Sequence, residues 1–220
     1  MKEEIKNFLF SQGAFAVGIA DVRAFNLSYE RAVSFCLRLD DSIIDSIGST
    51  PTPEYADLYR EINKKIDEIS ERLVNFLEEF GYQAKLIPAS KILDEKKLLG
   101  ELSHKAVARL AGIGWQGKNL LIINPNIGPR FRLGTVLTNA KIEPDSPIKN
   151  RCGRCTECTK ACPAKAIKNV STKDYYKDRE EAIDLKKCYE KTLYFKSLDG
   201  IGATICGVCV KVCPWGRKKP

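Results

Sequence analysis

The 220-residue chain has one histidine, one methionine and two tryptophans, and only one of its nine cysteines lies before residue 152. No run of about eighteen apolar residues occurs, so no membrane span is expected. The opening Met1-Lys-Glu-Glu-Ile5 carries acids where a secretory or transit peptide carries bases, and a cytoplasmic location is expected. The lone histidine, His104, has no second imidazole to partner it, and its bland reading is a capping or surface residue. The cysteines divide the chain unevenly. The first part must fold on an apolar core of its own, whereas a short loop-rich segment can lean on metal for cross-links that burial alone does not supply. Lys141-Ile-Glu-Pro-Asp-Ser-Pro-Ile-Lys149 has two prolines and no periodicity, which puts the boundary there: a core domain over 1–143 and a cysteine domain over 144–220.

Cys152-Gly-Arg-Cys155-Thr-Glu-Cys158-Thr-Lys-Ala-Cys162-Pro163 is the C-x2-C-x2-C-x3-C-P run of bacterial-type ferredoxins. Three ligands to a cubane come from one tight loop, and in two-cluster proteins the fourth cysteine serves the other cluster. Cys206-Gly-Val-Cys209-Val-Lys-Val-Cys213-Pro214 repeats the last three cysteines and the proline, with Ala203 where the first should stand. Cys188 is the remaining cysteine in this region and takes that corner. The expected sets are Cys152, Cys155, Cys158 and Cys213 for one [4Fe–4S] cluster, and Cys162, Cys188, Cys206 and Cys209 for a second. Zinc favours two separated C-x2-C pairs, which this array does not supply. An odd cysteine count and close spacings count against disulfides. Cys36, in an apolar run, reads as a small buried hydrophobe.

The formal charge of +8 counts those thiols as neutral. With about −2 per oxidised cluster the total falls to about +4, so much of the basic excess compensates the clusters. Lys186, Lys187 and the tail Arg217-Lys-Lys219 are candidates to dock an acidic redox partner. No basic-aromatic pattern of a nucleic-acid module accompanies them, and neither nucleic acid nor membrane is an expected partner.

Along the core, residues 3–12 read as a short helix, Ala14–Ala20 and Ala32–Leu39 as strands, and Thr52-Pro53-Glu54 as the start of a long amphipathic helix running to Gly81. Tyr82–Pro88 is a further strand, Lys91–Lys97 a charged stretch, His104–Ala111 a helix, and Asn119–Asn124 and Arg130–Thr138 two more strands. A short helix is expected over Pro163–Lys168 and a charged excursion over Asp174–Lys187. The alternation argues for an α+β fold with an α/β-type core. Gly112-Ile-Gly-Trp-Gln-Gly-Lys118 fits two phosphate-loop patterns on paper. It follows a helix and opens a strand, however, and Asn119 replaces the magnesium-holding hydroxyl, so a tight turn is expected and a nucleotide is not. Arg130 and Arg132 alternate with apolar residues and should share one face of a strand, either solvated or lining an anion pocket.

The combination His104-Lys105, Gly112-Ile-Gly-Trp115, Gly117-Lys118-Asn119, Gly128-Pro-Arg130, Leu133-Gly134 and Leu137-Thr138, followed by the cysteine array with its detached Cys188, resembles the epoxyqueuosine reductase and reductive dehalogenase group. The resemblance implies a nitroreductase-like core, related to cobalamin-processing folds, joined to a ferredoxin-like domain with two clusters. It also implies a corrinoid or flavin beside that core, with His104, Lys105, Lys118, Arg130 and Arg132 as candidate cofactor-binding residues. Counting back from Trp115 places Leu98 at the position of the reductases' catalytic aspartate, with Asp94 the nearest acid. The helical repeats with which those reductases hold transfer RNA are not matched, so action on queuosine transfer RNA is not expected, and no catalytic residue is assigned. The expected function is an iron–sulfur redox protein passing electrons to a site on the N-terminal domain, possessed of a corrinoid-dependent reductase activity or, alternatively, acting as a ferredoxin-type carrier or activator docked on a partner enzyme.

Overall fold

A computed structural model describes residues 1–89 and 101–217. The charged stretch Lys91–Lys97, with Asp94, and Leu98, Lys218 and Lys219 lie outside the described residues. The chain forms two compact units, each drawn from several segments: Met1–Arg38, Glu61–Gly114 and Phe131–Ile148 make the first, and Leu39–Arg60, Trp115–Arg130 and Lys149–Pro220 the second.

The first unit is built on a four-stranded sheet in the order β1 (Ala16–Asp21), β2 (Arg31–Arg38), β6 (Phe131–Thr138), β3 (Ala84–Ile87). Every pairing in this sheet is antiparallel, so among the described residues the helix–strand alternation builds an α+β layer and no parallel crossover units. Val33, Phe35 and Leu37 of β2 bury one face against Ile5 and Leu9 of α1 (Lys2–Ser11) and Ile66, Ile69, Leu73 and Leu77 of α3 (Pro53–Glu79). Strand side chains alternate between faces. Ala32, Ser34 and Cys36 therefore point to the opposite face, and Cys36 is fully buried with its thiol pushed up to about 12 by burial.

Helix α3 starts as its sequence predicts. Pro53 is its first residue, and the Thr52 hydroxyl accepts a hydrogen bond from the Tyr55 backbone N–H at 3.3 Å. It ends before Gly81, whose φ of +79° suits a residue without Cβ. Phe35 faces Gly134 across the β2–β6 register, and a side chain at Gly134 would overlap the Phe35 ring. That glycine is the space the ring fills.

The Lys141–Lys149 segment is irregular, as its prolines imply, but through Ile148 it belongs to the first unit. Asp145 fastens it: its carboxylate accepts from the Ile19 N–H at 2.9 Å and pairs with Lys2 at 2.6 Å, while its own N–H donates to the Ile19 carbonyl.

In the second unit, α2 (Asp41–Ser46) is capped by Asp40, which accepts from the N–H groups of Ser42 and Ile43. A two-residue ladder follows, β4 (Trp115–Gln116) with β5 (Ile122–Ile123). The strand expected over Asn119–Asn124 shortens to Ile122–Ile123 because Asn119 closes a turn onto the Leu121 N–H and Leu120 sits at φ +58°. The helix expected over Pro163–Lys168 is absent. Cys162, before proline, is held extended at ψ 113°, and the helix lies one step earlier, α5 over Glu157–Ala161. Ile167 instead bridges Ile183. The excursion after Asp174 ends sooner than expected, because Asp184 caps α6 (Leu185–Lys196) through the Lys187 N–H at 3.0 Å. Helix α7 spans Val208–Lys211. Ala166, Ile167, Tyr176, Ala182 and Ile183 form a small core packed against Cys158, Cys162, Cys188 and Cys209.

Two stretches from the first 143 residues thus fold with the cysteines. Gly207, between Cys206 and Val208, lies at φ +80° where a Cβ would meet Ile47 and Tyr55. Gly128, at φ +58°, lies where a Cβ would come within 2.6 Å of the Gly216 Cα. A cysteine segment with so small a core recruits apolar and glycine surfaces from elsewhere in the chain. Among the described residues, no helix is long and apolar enough to cross a membrane.

Candidate metal centre

Cys152, Cys155, Cys158 and Cys213 line one cavity, together with Lys118, Asn119, Ile123, Pro214 and Trp215. A tight loop presents the first two: the Cys155 N–H donates to the Cys152 carbonyl at 3.1 Å, with Gly153 between them at φ +52°. The Cys152 N–H is held by Asn150, whose amide donates to the Gln116 carbonyl at 2.8 Å. Cys158 lies on α5, and Cys213 stands at the end of α7 with Pro214 opening a 3-10 turn behind it. Burial pushes the Cys213 thiol up to about 11, and the neighbouring Cys152, Cys158 and Cys155 add to the rise. Cys158 is raised by burial and then by Cys152 and Cys155.

A second group forms around Cys206 and Cys209. Burial raises Cys206 to about 11, reinforced by Cys188 and Cys162. Cys209, deeper, is raised by burial and by Cys206, Cys188, Cys158 and Cys162. Cys158 and Cys209 therefore bring the two groups next to each other. All nine cysteines are free thiols.

Thiolates, not thiols, ligate iron. Thiols that burial and mutual repulsion hold protonated need a cationic centre among them to ionise. Among the described residues, no three His, Cys, Asp or Glu side chains converge as ligands of one metal ion would. A cubane attaches its thiolates at separate iron corners and asks for no such convergence. The wall also carries an unbalanced charge: Lys118 is 4% exposed, and its ammonium donates to two neutral acceptors, the Cys155 carbonyl and the Asn169 side-chain oxygen, each at 2.9 Å. A net-negative iron–sulfur cluster in that cavity would balance it. The donor set and the charge both fit the cofactor.

Around the cavity, Trp215 meets Trp115 edge to face with centroids 4.9 Å apart, and Arg151 lies over the Trp115 ring. Tyr176 donates its hydroxyl to the Val170 carbonyl at 2.6 Å. Its phenol is pushed up to about 12 by burial and then by Cys152 and Cys158.

The five residues named for an organic cofactor are divided between the units: His104, Lys105 and Arg132 in the first, Lys118 and Arg130 in the second. His104 opens α4 (His104–Leu110), where Ser103, not the histidine, supplies the cap. Its Nε2 lies 3.1 Å from the Pro88 carbonyl, which can only accept, so Nε2 carries the proton and Nδ1 accepts from the Thr135 hydroxyl at 2.8 Å. Burial, first among the causes, lowers its pKa. Lys105 is exposed on the same turn, and Arg132 donates to Asn63 at 3.0 Å. Arg130 corrects the sequence reading. It precedes β6, shares no strand face with Arg132, and is 2% exposed in ion pairs with Asp45 at 2.6 Å and Asp41 at 3.2 Å.

Sequence reasoning missed Asn119, whose amide donates to the Cys209 carbonyl at 3.3 Å. Its adjacency to Lys118 in the glycine-bounded turn was the available signal.

Residues 151–216 match a family model described as a 4Fe-4S double cluster binding domain. An epoxyqueuosine reductase from Listeria monocytogenes serovar 1/2a is 39% identical over 124 residues, covering 54% of this chain and 31% of that protein. A reductive dehalogenase, whose structure is described as suggesting a mechanism for B12-dependent dehalogenation, matches 98% of this chain and 32% of its own, with a TM-score of 0.78 and 22% identity. An epoxyqueuosine reductase solved with an epoxyqueuosine-modified tRNA stem loop matches 98% of this chain and 65% of its own, with a TM-score of 0.63 and 24% identity. At those identities the two structures establish the fold alone. The cysteine array and the domain match define a protein with a 4Fe–4S double-cluster domain. More particularly, the chain is similar to epoxyqueuosine reductases over part of its length, and it spans about a third of the length of the Listeria relative.

Proposed function

We propose that the chain is an iron–sulfur reductase in which Cys152, Cys155, Cys158 and Cys213 hold one [4Fe–4S] cluster and Cys162, Cys188, Cys206 and Cys209 hold a second. The observation that carries this reading is the shared cavity of Cys152, Cys155, Cys158 and Cys213, with the buried ammonium of Lys118 in its wall. When bound, the clusters supply one-electron transfer. The chain's own part is to hold them: Asn150 and Lys118 fix the Cys152–Cys155 loop, Asn119 fixes Cys209, and α6 brings Cys188 to the Cys206 loop. The effect of Cys158 on the Cys209 thiol supports two neighbouring centres between which an electron moves.

The reductase names of the curated relatives favour an enzyme over the carrier or activator reading. A corrinoid is supported by likeness to the B12-dependent dehalogenase fold, and a flavin is the other candidate. His104 and Arg130 have polar atoms committed to partners within their own units, so the corrinoid or flavin pocket at His104, Lys105, Lys118, Arg130 and Arg132 remains a proposal to be tested by binding.

The test is iron, sulfide and cobalt content with visible and electron paramagnetic resonance spectra on anaerobically purified protein, before and after cobalamin is offered. About eight irons and eight sulfides per chain are expected. Four irons or fewer, or zinc without sulfide, would overturn the assignment. Stoichiometric corrinoid would support the corrinoid-dependent form, and its absence with eight irons present would return the carrier reading.

A further inference from the structure

Lys118 is the one buried lysine among the described residues, and its surroundings are unusual for a cation. Its ammonium touches a backbone carbonyl and an amide oxygen, and among the described residues no carboxylate stands within ion-pair distance of it. A charge taken from water is costly unless a counter-charge replaces the lost hydration. Arg130, the other buried cation of this unit, has two carboxylates. Lys118 has the cavity lined by Cys152, Cys155, Cys158 and Cys213.

Resting on the two-cluster reading, we infer that Lys118 is the fixed positive charge that raises the reduction potential of the cluster held by Cys152, Cys155, Cys158 and Cys213, making it the easier of the two to reduce. Adding one electron to that cluster adds one negative charge to the cavity. A buried cation in a medium of low dielectric favours the more negative state far more than an exposed one does. On the side of the second group, Lys191 stands one turn after Cys188 on α6, but it is only partly buried and packs over Tyr194 and Phe195. Water and salt screen it. Two clusters with similar thiolate sets thereby acquire different potentials, and the electron settles on the Lys118 side. Lys118 is a positioning residue whose effect travels through charge, and its bond to the Cys155 carbonyl is a separate, bracing contribution.

Potentiometric titration of the anaerobic holoprotein, followed by electron paramagnetic resonance, separates the two contributions. The cluster beside Lys118 is identified as the signal that persists in Cys188→Ala. Lys118→Gln keeps a donor without charge, Lys118→Met keeps neither, and Lys118→Arg keeps the charge. In both neutral variants the reduction equilibrium of that cluster should fall at least tenfold, which is about 59 mV for one electron. The arginine variant should stay within threefold of wild type, and the other cluster should move less. A glutamine variant with the wild-type potential, or equal shifts in both clusters, would overturn the inference. If iron is lost, loss in the neutral variants with retention in the arginine variant still assigns the role to charge, whereas loss in all three overturns it. Failure of the wild-type protein to hold two clusters would instead overturn the underlying assignment.

Discussion

The side chain of Asn119 donates to the backbone carbonyl of Cys209 at 3.3 Å, one residue along from the lysine that donates to the carbonyl of Cys155. Neighbouring residues of one turn therefore brace a loop of each cysteine group. The turn is held by the Gly117 N–H on the Leu121 carbonyl and the Leu120 N–H on the Gly117 carbonyl. A Cβ at Gly117 would press on the Asn119 Oδ1 at 2.8 Å. Of the glycines that imitate a phosphate loop on paper, Gly117 serves this bracket.

Cys188 is the ligand drawn from outside the repeated half-motif, and it stands on the first turns of α6 next to Cys206 and Cys162. Cys188→Ala should lose one cluster or convert it to a three-iron form while sparing the other, so iron falls from about eight to between four and seven. Retention of eight irons would remove Cys188 from the ligand set.

Gly128 tests how the cysteine segment depends on residues before it. At φ +58°, with Gly216 pressed against it, alanine there would be strained by both backbone and contact, and the turn it displaces follows Cys213. Gly128→Ala should cost about 1–3 kcal/mol by overpacking and speed the bleaching of the iron–sulfur absorption under chelator. Gly13→Ala, at φ +90° but facing open space, is the control for positive φ alone. Equal bleaching in the two variants would remove the Gly216 contact from the explanation.

These contrasts bear on what was legible in the sequence. Ligand chemistry is carried by covalent spacing, so the array from Cys152 to Cys213 could be read directly. Local helix signals were equally plain, as at Thr52-Pro53 and Gly81. The membership of Leu39–Arg60 and Trp115–Arg130 in the second unit was not legible, because it depends on close approaches such as Gly207 to Ile47 that no local period records. Arg130 was misread for a related reason. Its alternation with Phe131 and Arg132 imitates a strand face, while its partners Asp41 and Asp45 lie far away in sequence. The Asp184 cap that starts α6 was a local signal, and the surrounding lysines and acids concealed it.

His104 gives the first unit a pH dependence whose sign follows from its surroundings. The neutral ring is bonded at both nitrogens, donating to Pro88 and accepting from Thr135. Its pKa is lowered by burial first, with Arg132 acting in the same direction and the Pro88 carbonyl and Asp67 opposing. A folded-state pKa below the ordinary value of 6.5 means that the unfolded chain takes up this proton first as pH falls. The contribution to stability is complete above 6.5 and is lost as pH drops from there toward the folded-state value, at no more than about 1.4 kcal/mol per pH unit for one proton. His104→Gln can still donate to the Pro88 carbonyl but does not titrate. Denaturant unfolding of both proteins between pH 5 and 8, followed by far-ultraviolet circular dichroism, should show the wild type losing stability below 6.5 faster than the variant. Taking the difference between the two cancels the acid lability that iron–sulfur centres contribute to each. Parallel curves would mean that the imidazole takes its proton in place, and that burial does not hold the ring neutral.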